Sequence, residues 1–175
     1  MLEAKTGTTE TRELAWTRWV LQSARVWDDV SDIVQVIGIK GVDEDHRKFT
    51  QYALDLNIVI QAFHNSNVSL DNLKKGEEIF TLLIDYAGLH FNREEKIMTE
   101  MNSPLKEAHL EQHAFFLKMI QDHYSDFKRG RLQMVSGLKL SILDWWVNHI
   151  NVVDYNTFVL GQKAPPDTVE NGRQA

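Results

Sequence analysis

Five histidines and two carboxylates stand where a folded chain would otherwise place apolar side chains or their close neighbours. His46, His90, Glu94, His109, His113 and His149 each interrupt a hydrophobic stripe of helical spacing, and Asp154 follows His149 at i+5. One buried histidine is ordinary, because it usually finds a partner in the core. Five with a carboxylate, in one small domain, would incur several desolvation penalties unless something binds them. A metal centre offsets all of those penalties at once. The chain has no cysteine, and nitrogen donors mixed with carboxylates suit iron, manganese or zinc rather than copper(I). Seven donors are too many for one metal and too few to saturate two octahedral ones. If both carboxylates bridge, one metal takes three histidines and the other two. A solvent-derived oxo or hydroxo bridge then gives six ligands on the first and five on the second. The second metal keeps one position for a small ligand bound end-on.

The spacing dictates the elements that must carry these groups. His90 with Glu94, and His109 with His113, are i, i+4 pairs that share one face of a helix. His149 and Asp154 would diverge by roughly 140° on a regular α-helix. The last helix must therefore carry a π-bulge or a break for both to point inward. Four stripes surround the donors: Val42, His46, Phe49, Ala53, Leu56, Ile60 and Phe63; Ile79, Leu83, Tyr86, His90, Glu94, Ile97 and Met101; Leu105, His109, His113, Phe116, Ile120, Tyr124 and Phe127; then Val135, Leu138, Ile142, Trp145 and His149. One apolar stripe on each of four helices predicts an all-α, up-down-up-down four-helix bundle. Ser69 is an expected N-cap, Ser103-Pro104 an expected start for the third helix, and Gly130 its expected stop.

Outside the bundle, Leu14, Trp16, Trp19, Val20, Ala24, Trp27, Val30, Ile33 and Val34 keep helical spacing, which predicts one or two further helices over about residues 11–36. The predicted organisation is an N-terminal helical extension over 1–37, the bundle over 38–160, and a flexible tail or linker over 161–175. The 175 residues carry a net charge of −6, with 43% hydrophobic and 25% charged residues. That balance suits a soluble protein and argues against a nucleic-acid surface, since no basic stripe is present to neutralise phosphates. Neither a secretory signal nor a membrane-spanning run is visible, so a cytoplasmic location is expected. His64 and His123 fall outside the donor pattern and read as solvated. Glu95 and Lys96 read as a solvated face.

The ordered combination H…HxxxE…HxxxH…HxxxxD resembles the hemerythrin family, specifically its bacterial members. It is carried by Gly38–His46, His90-Phe-Asn-Arg-Glu-Glu95, His109-x-x-x-His113 and Trp145–Asp154. The resemblance implies a non-haem di-iron centre that binds dioxygen reversibly. His109, His113 and His149 would hold the saturated iron, His46 and His90 the open one, and Glu94 and Asp154 would bridge. Ferritin-like di-iron enzymes need Glu-x-x-His pairs, and none occurs in the sequence.

Phe49, Phe91, Trp146 and Ile150 are placed to wall the ligand pocket, where apolar surroundings limit access of protons and water. Relatives commonly carry leucine where this chain has Trp146, so the indole is expected to narrow the route or fill part of the cavity. The family also implies azide or nitric oxide as further ligands. The extension and the Pro-Pro tail favour a dioxygen- or redox-sensing input domain, with a homodimer through the N-terminal helix or a C-terminal output domain as partners. A stand-alone carrier or storage protein, and a peroxide- or nitric-oxide-processing enzyme, are the alternatives. No dedicated catalytic constellation beyond the metal site is visible, so an enzyme is not the expected reading.

Overall fold

The computed structural model describes residues 9–64, 68–131 and 137–161, without the side chains of residues 9–15 and of His64. Their order is α1 (Thr9–Ser23), two single 3-10 turns at Trp27–Asp29 and Ser31–Ile33, α2 (Lys40–His64), α3 (Leu70–Glu100), α4 (Lys106–Lys128) and α5 (Leu138–Asn148). The chain continues from α5 without a break into a π-helical segment, His149–Leu160. No strand occurs among the described residues. Helices α2 to α5 close a ring in which each packs on the next and α5 returns to α2, the all-α bundle that the four stripes require.

The stripes become the inward faces of the helices, except that Leu105, ahead of α4, is 42% exposed. All seven α2 positions from Val42 to Phe63 are buried. The helix starts beneath Asp43, whose carboxylate accepts from the backbone N–H groups of Ile37 (2.8 Å) and Gly38 (3.0 Å). Ser69 caps α3 through its hydroxyl, which accepts from the Asn72 amide. Val135 lies outside the described residues.

Both ends of the α3–α4 hairpin close in the same way. Asn102 (φ 50°) and Gly130 (φ 72°) take the left-handed conformation one residue past each cap. The following amides, of Ser103 and Arg131, reach back to the carbonyls of Met98 and Asp126 at 3.0 Å each, a Schellman closure. Ser103 serves both sides of the turn: its amide ends α3, and its hydroxyl accepts from the Leu105 amide at 3.3 Å ahead of α4. The third helix of the bundle begins at Lys106, with no side-chain cap at Leu105.

Of the one or two helices expected over about residues 11–36, the N-terminal region forms one, α1, followed by the two short 3-10 turns. α1 lies along α5 and buries Val20, Leu21 and Ala24. Lys139 of α5, 9% exposed, donates to the carbonyls of Gln22 (3.0 Å) and Ala24 (2.6 Å) at the end of α1. Beyond it the chain is rich in β-branched residues, which lose side-chain freedom in a helix, and it folds as the two short turns. Asn151 of the π segment pins this stretch by accepting from the Gln35 amide (2.8 Å) and donating to the Ile33 carbonyl (2.7 Å). Trp16 and Trp19 are 54% and 63% exposed, whereas Trp27 is half-buried. Among the described residues no helix is long and apolar enough to cross a membrane.

Candidate metal centre

The i, i+4 pairs of α3 and α4 and the i, i+5 pair of the π segment converge on His46 of α2. His46, His90, Glu94, His109, His113, His149 and Asp154 are each 3% exposed or less. Two overlapping donor groups result. Glu94, His109, His113 and His149 bring one atom each within 4.8 Å of one another, and so do His46, His90, Glu94 and Asp154. Asp154 turns one oxygen to each side. Oδ1 lies 3.1 Å from His109 Nε2 and 3.0 Å from His149 Nε2, while Oδ2 lies 3.2 Å from His46 Nε2. Glu94 Oε2 sits 3.1 Å from His113 Nε2 and 3.4 Å from His90 Nε2, with Oε1 3.9 Å from His46 Nε2. The pairing of His149 with Asp154 follows from the π winding, whose wider turn brings residues five apart onto one face.

These donors suit a metal. Both nitrogens of His46 and His90, Nε2 of His113, Nδ1 of His149 and all four oxygens of Glu94 and Asp154 are buried without a hydrogen bond. Leaving one such group unmet costs about 1–3 kcal/mol, and a cation would engage most of them together. Without one, the site divides its protons unevenly. Burial lowers His90 to about 4 and His113 to about 2, with neighbouring imidazoles adding to the effect, and burial also lowers His149. Burial opposes a proton on His109 as well, but its contacts with Asp154 and Glu94 outweigh this and hold it up to about 9. Burial and the nearby Asp154 push Glu94 well above the usual carboxylate range. Asp154 is held well below it despite its burial, by His149, His109 and His46. Two carboxylates at one buried site do not both ionise readily, and the better-partnered one keeps the charge.

Behind the donors stand residues that helical periodicity did not reveal. His109 Nδ1 meets the Thr157 hydroxyl at 3.1 Å, and His113 Nδ1 meets Glu95 Oε1 at 3.4 Å. Glu95 is thus no solvated bystander; it leans across from α3 to α4. Asp45, which accepts from the Tyr86 hydroxyl at 2.8 Å, lies with Oδ2 3.7 Å from His90 Nδ1. Burial opposes its charge, yet His90, Tyr86 and Arg93 hold Asp45 below the usual carboxylate range. His123 is half-buried rather than solvated, and burial lowers it; the side chain of His64 lies outside the described residues.

Of the four predicted wall residues, all are buried. Trp146 approaches His46 edge-on at 5.8 Å, tilts over His90 at 5.1 Å and stacks on Phe49 at 3.8 Å. Phe91 stacks instead on His113, at 3.9 Å and 10°. Ile150 is fully enclosed beside His149 in the chain. The indole Nε1 of Trp146 has no hydrogen-bond acceptor. Trp145 was not expected at the site, yet its half-buried ring stacks on His149 at 4.4 Å and 15°. Their i, i+4 spacing was the available signal. A surface cavity of about 160 Å³ reaches this edge of the centre, lined by Gln112, Trp145, Asn148, His149, Val152 and Val153.

The chain matches the family model of the hemerythrin HHE cation binding domain over residues 37–158. It is 27% identical over 125 residues to the bacteriohemerythrin of Stenotrophomonas maltophilia (strain R551-3), covering 71% of this chain and 73% of that one. It is 25% identical over 126 residues to the bacteriohemerythrin of Pseudomonas aeruginosa (strain UCBPP-PA14), with the same two shares. No solved structure matches the chain significantly. The chain belongs to the hemerythrin family, whose domain implies non-haem iron and the binding of small ligands such as dioxygen.

Proposed function

We propose that the chain holds two non-haem irons, bridged by Glu94, Asp154 and a solvent-derived oxo or hydroxo group, and binds dioxygen at one of them. The observation that carries this reading is the overlap of two donor groups at Glu94, with one oxygen of Asp154 turned to each. His109, His113 and His149 would serve one iron and His46 and His90 the other. The irons would supply the electrons on which dioxygen binding draws. The residues of the chain do the rest: the seven donors fix the positions, and Trp146, backed by Phe49, keeps water from the two-histidine side. The test is iron analysis joined to an optical spectrum of the reduced protein before and after air. Two irons per chain and a stable air-dependent spectrum are expected. A single tightly bound zinc overturns the reading.

Within that reading, the chain is an input module that responds to dioxygen or redox state rather than a stand-alone carrier. Support comes from the route by which α1 is attached. Lys139 ties the end of α1 to α5, and α5 runs on into the segment that carries His149 and Asp154. The exposed Trp16 and Trp19 offer apolar surface to a second copy or an output partner. A ligand shifts a conformational balance only if it interacts differently with the two states. Hydrogen exchange over residues 11–36 should therefore differ among reduced, air-exposed and oxidised protein. Identical protection in all three favours a carrier, and sustained consumption of peroxide or nitric oxide favours an enzyme.

A further inference from the structure

The rear nitrogens of the imidazoles are not served alike. His109 meets a neutral hydroxyl, and His113 meets Glu95, whose side chain is 35% exposed. His90 faces Asp45, whose side chain is only 7% exposed, with Nδ1 and Oδ2 3.7 Å apart. His90 Nδ1 has no hydrogen bond elsewhere, so Asp45 Oδ2 is the acceptor that this buried nitrogen confronts. The carboxylate is fixed from two further sides. Tyr86 Oη donates to Oδ1 at 2.8 Å, and Arg93 Nε lies 2.8 Å from Oδ2.

Tyr86, His90 and Arg93 follow one another at i, i+4 and i+7 on α3, so three successive turns of one helix address a single side chain of α2. The guanidinium needs the space that Gly41 leaves. A Cβ at that position would lie 2.7 Å from Arg93 Nη1.

An imidazole that offers Nε2 to a metal must keep its proton on Nδ1, and a carboxylate behind Nδ1 enforces that choice and makes the ring a stronger donor. We infer that Asp45 is the positioning residue of the two-histidine side: clamped by Tyr86 and Arg93, it fixes the tautomer of His90 and places buried negative charge behind that ligand. The inference rests on the reading of His90 as an iron ligand. Negative charge there stabilises the higher oxidation state of a metal held by His90, and so lowers its reduction potential.

Asp45→Asn removes the charge and keeps the shape; Arg93→Gln keeps Asp45 and removes one side of its clamp. Nitrogen-15 spectra of the histidines, taken on metal-free and zinc-loaded protein, report the tautomer without any iron chemistry. Wild-type His90 should carry its proton on Nδ1, and Asp45→Asn should erase that preference. Loaded with iron, the variant should hold one of its two irons about 10–100-fold less tightly, with a raised reduction potential. Arg93→Gln should move both readouts the same way by less. An unchanged tautomer and potential in both variants, with only a lower melting temperature, overturns the inference and leaves Asp45 a structural ion pair. A tautomer shift in a protein whose wild type binds a single metal would keep the positioning role and overturn the di-iron reading.

Discussion

The two sides of the donor cluster are built by opposite means. On the three-histidine side flat rings lie against the donors: Phe91 on His113 at 3.9 Å and Trp145 on His149 at 4.4 Å, nearly parallel in each case. On the two-histidine side Trp146 meets His46 edge-on, and the ionic group of Asp45 and Arg93 stands behind His90. Stacking locks an imidazole in place and leaves no room over its face, which suits a metal with a complete set of donors. An edge-on indole holds the space beside a donor without clamping it, which suits a metal with a position to spare. The surface cavity nevertheless borders the stacked side, at His149. That cavity and the side with fewer donors are therefore different places.

Asp154 is common to both sides, and its loss should have the largest effect. Asp154→Ala removes an oxygen from each donor group, so both irons should be lost on desalting. His113→Ala, by contrast, should cost one. A full complement of two in Asp154→Ala would mean that the sides do not share a bridge. Next comes pH. In metal-free protein His109 is protonated up to about 9, and a metal at Nε2 must displace that proton. Affinity should therefore rise at least about tenfold per pH unit from 7 towards 9, and more steeply where Glu94, whose proton burial also holds, still has it to lose. Calorimetry in buffers of different ionisation enthalpy measures the released proton directly. His90 and His113, lowered to about 4 and about 2 by burial, are already neutral there and add no slope.

Trp146→Leu sharpens the contrast at the pocket. It should cost about 2–4 kcal/mol in denaturant unfolding through the cavity it leaves, and speed azide binding and autoxidation. Unchanged rates would return Trp146 to a purely structural role. The smallest effect is expected across the cluster. Trp145→Leu removes a stacked ring worth about 1 kcal/mol and should leave azide binding on the two-histidine side as fast as before. If it accelerates binding as Trp146→Leu does, ligands reach the centre past His149.

What a helix buries was legible along its own sequence. The α2 stripe was complete, both i, i+4 pairs faced inward, and the i, i+5 spacing of His149 and Asp154 demanded the π winding that the last helix has. What one helix presents to another was not legible. Glu95 leaves the buried stripe of α3, yet it reaches His113 because α3 and α4 pack closely there. Asp45 gains its meaning only from Tyr86, His90 and Arg93 on α3. Ser103-Pro104 carried the signature of a helix start, and the Ser103 hydroxyl does accept from the Leu105 amide, but α4 begins two residues past the proline, at Lys106. Trp16 and Trp19 have the spacing of a buried face, while α1 turns Val20, Leu21 and Ala24 to the bundle instead.

Four residues separate His149 from Asp154, whereas three separate His90 from Glu94 and His109 from His113. The π winding absorbs the surplus residue, and Val152, within that interval, is 49% exposed. The donor-bearing helices therefore differ in their tolerance of a change in chain length. Inserting or deleting one residue inside either α-helical pair would swing a donor about 100° off the centre. Deleting Val152 would instead leave His149 and the aspartate four apart, a spacing that ordinary α winding already satisfies.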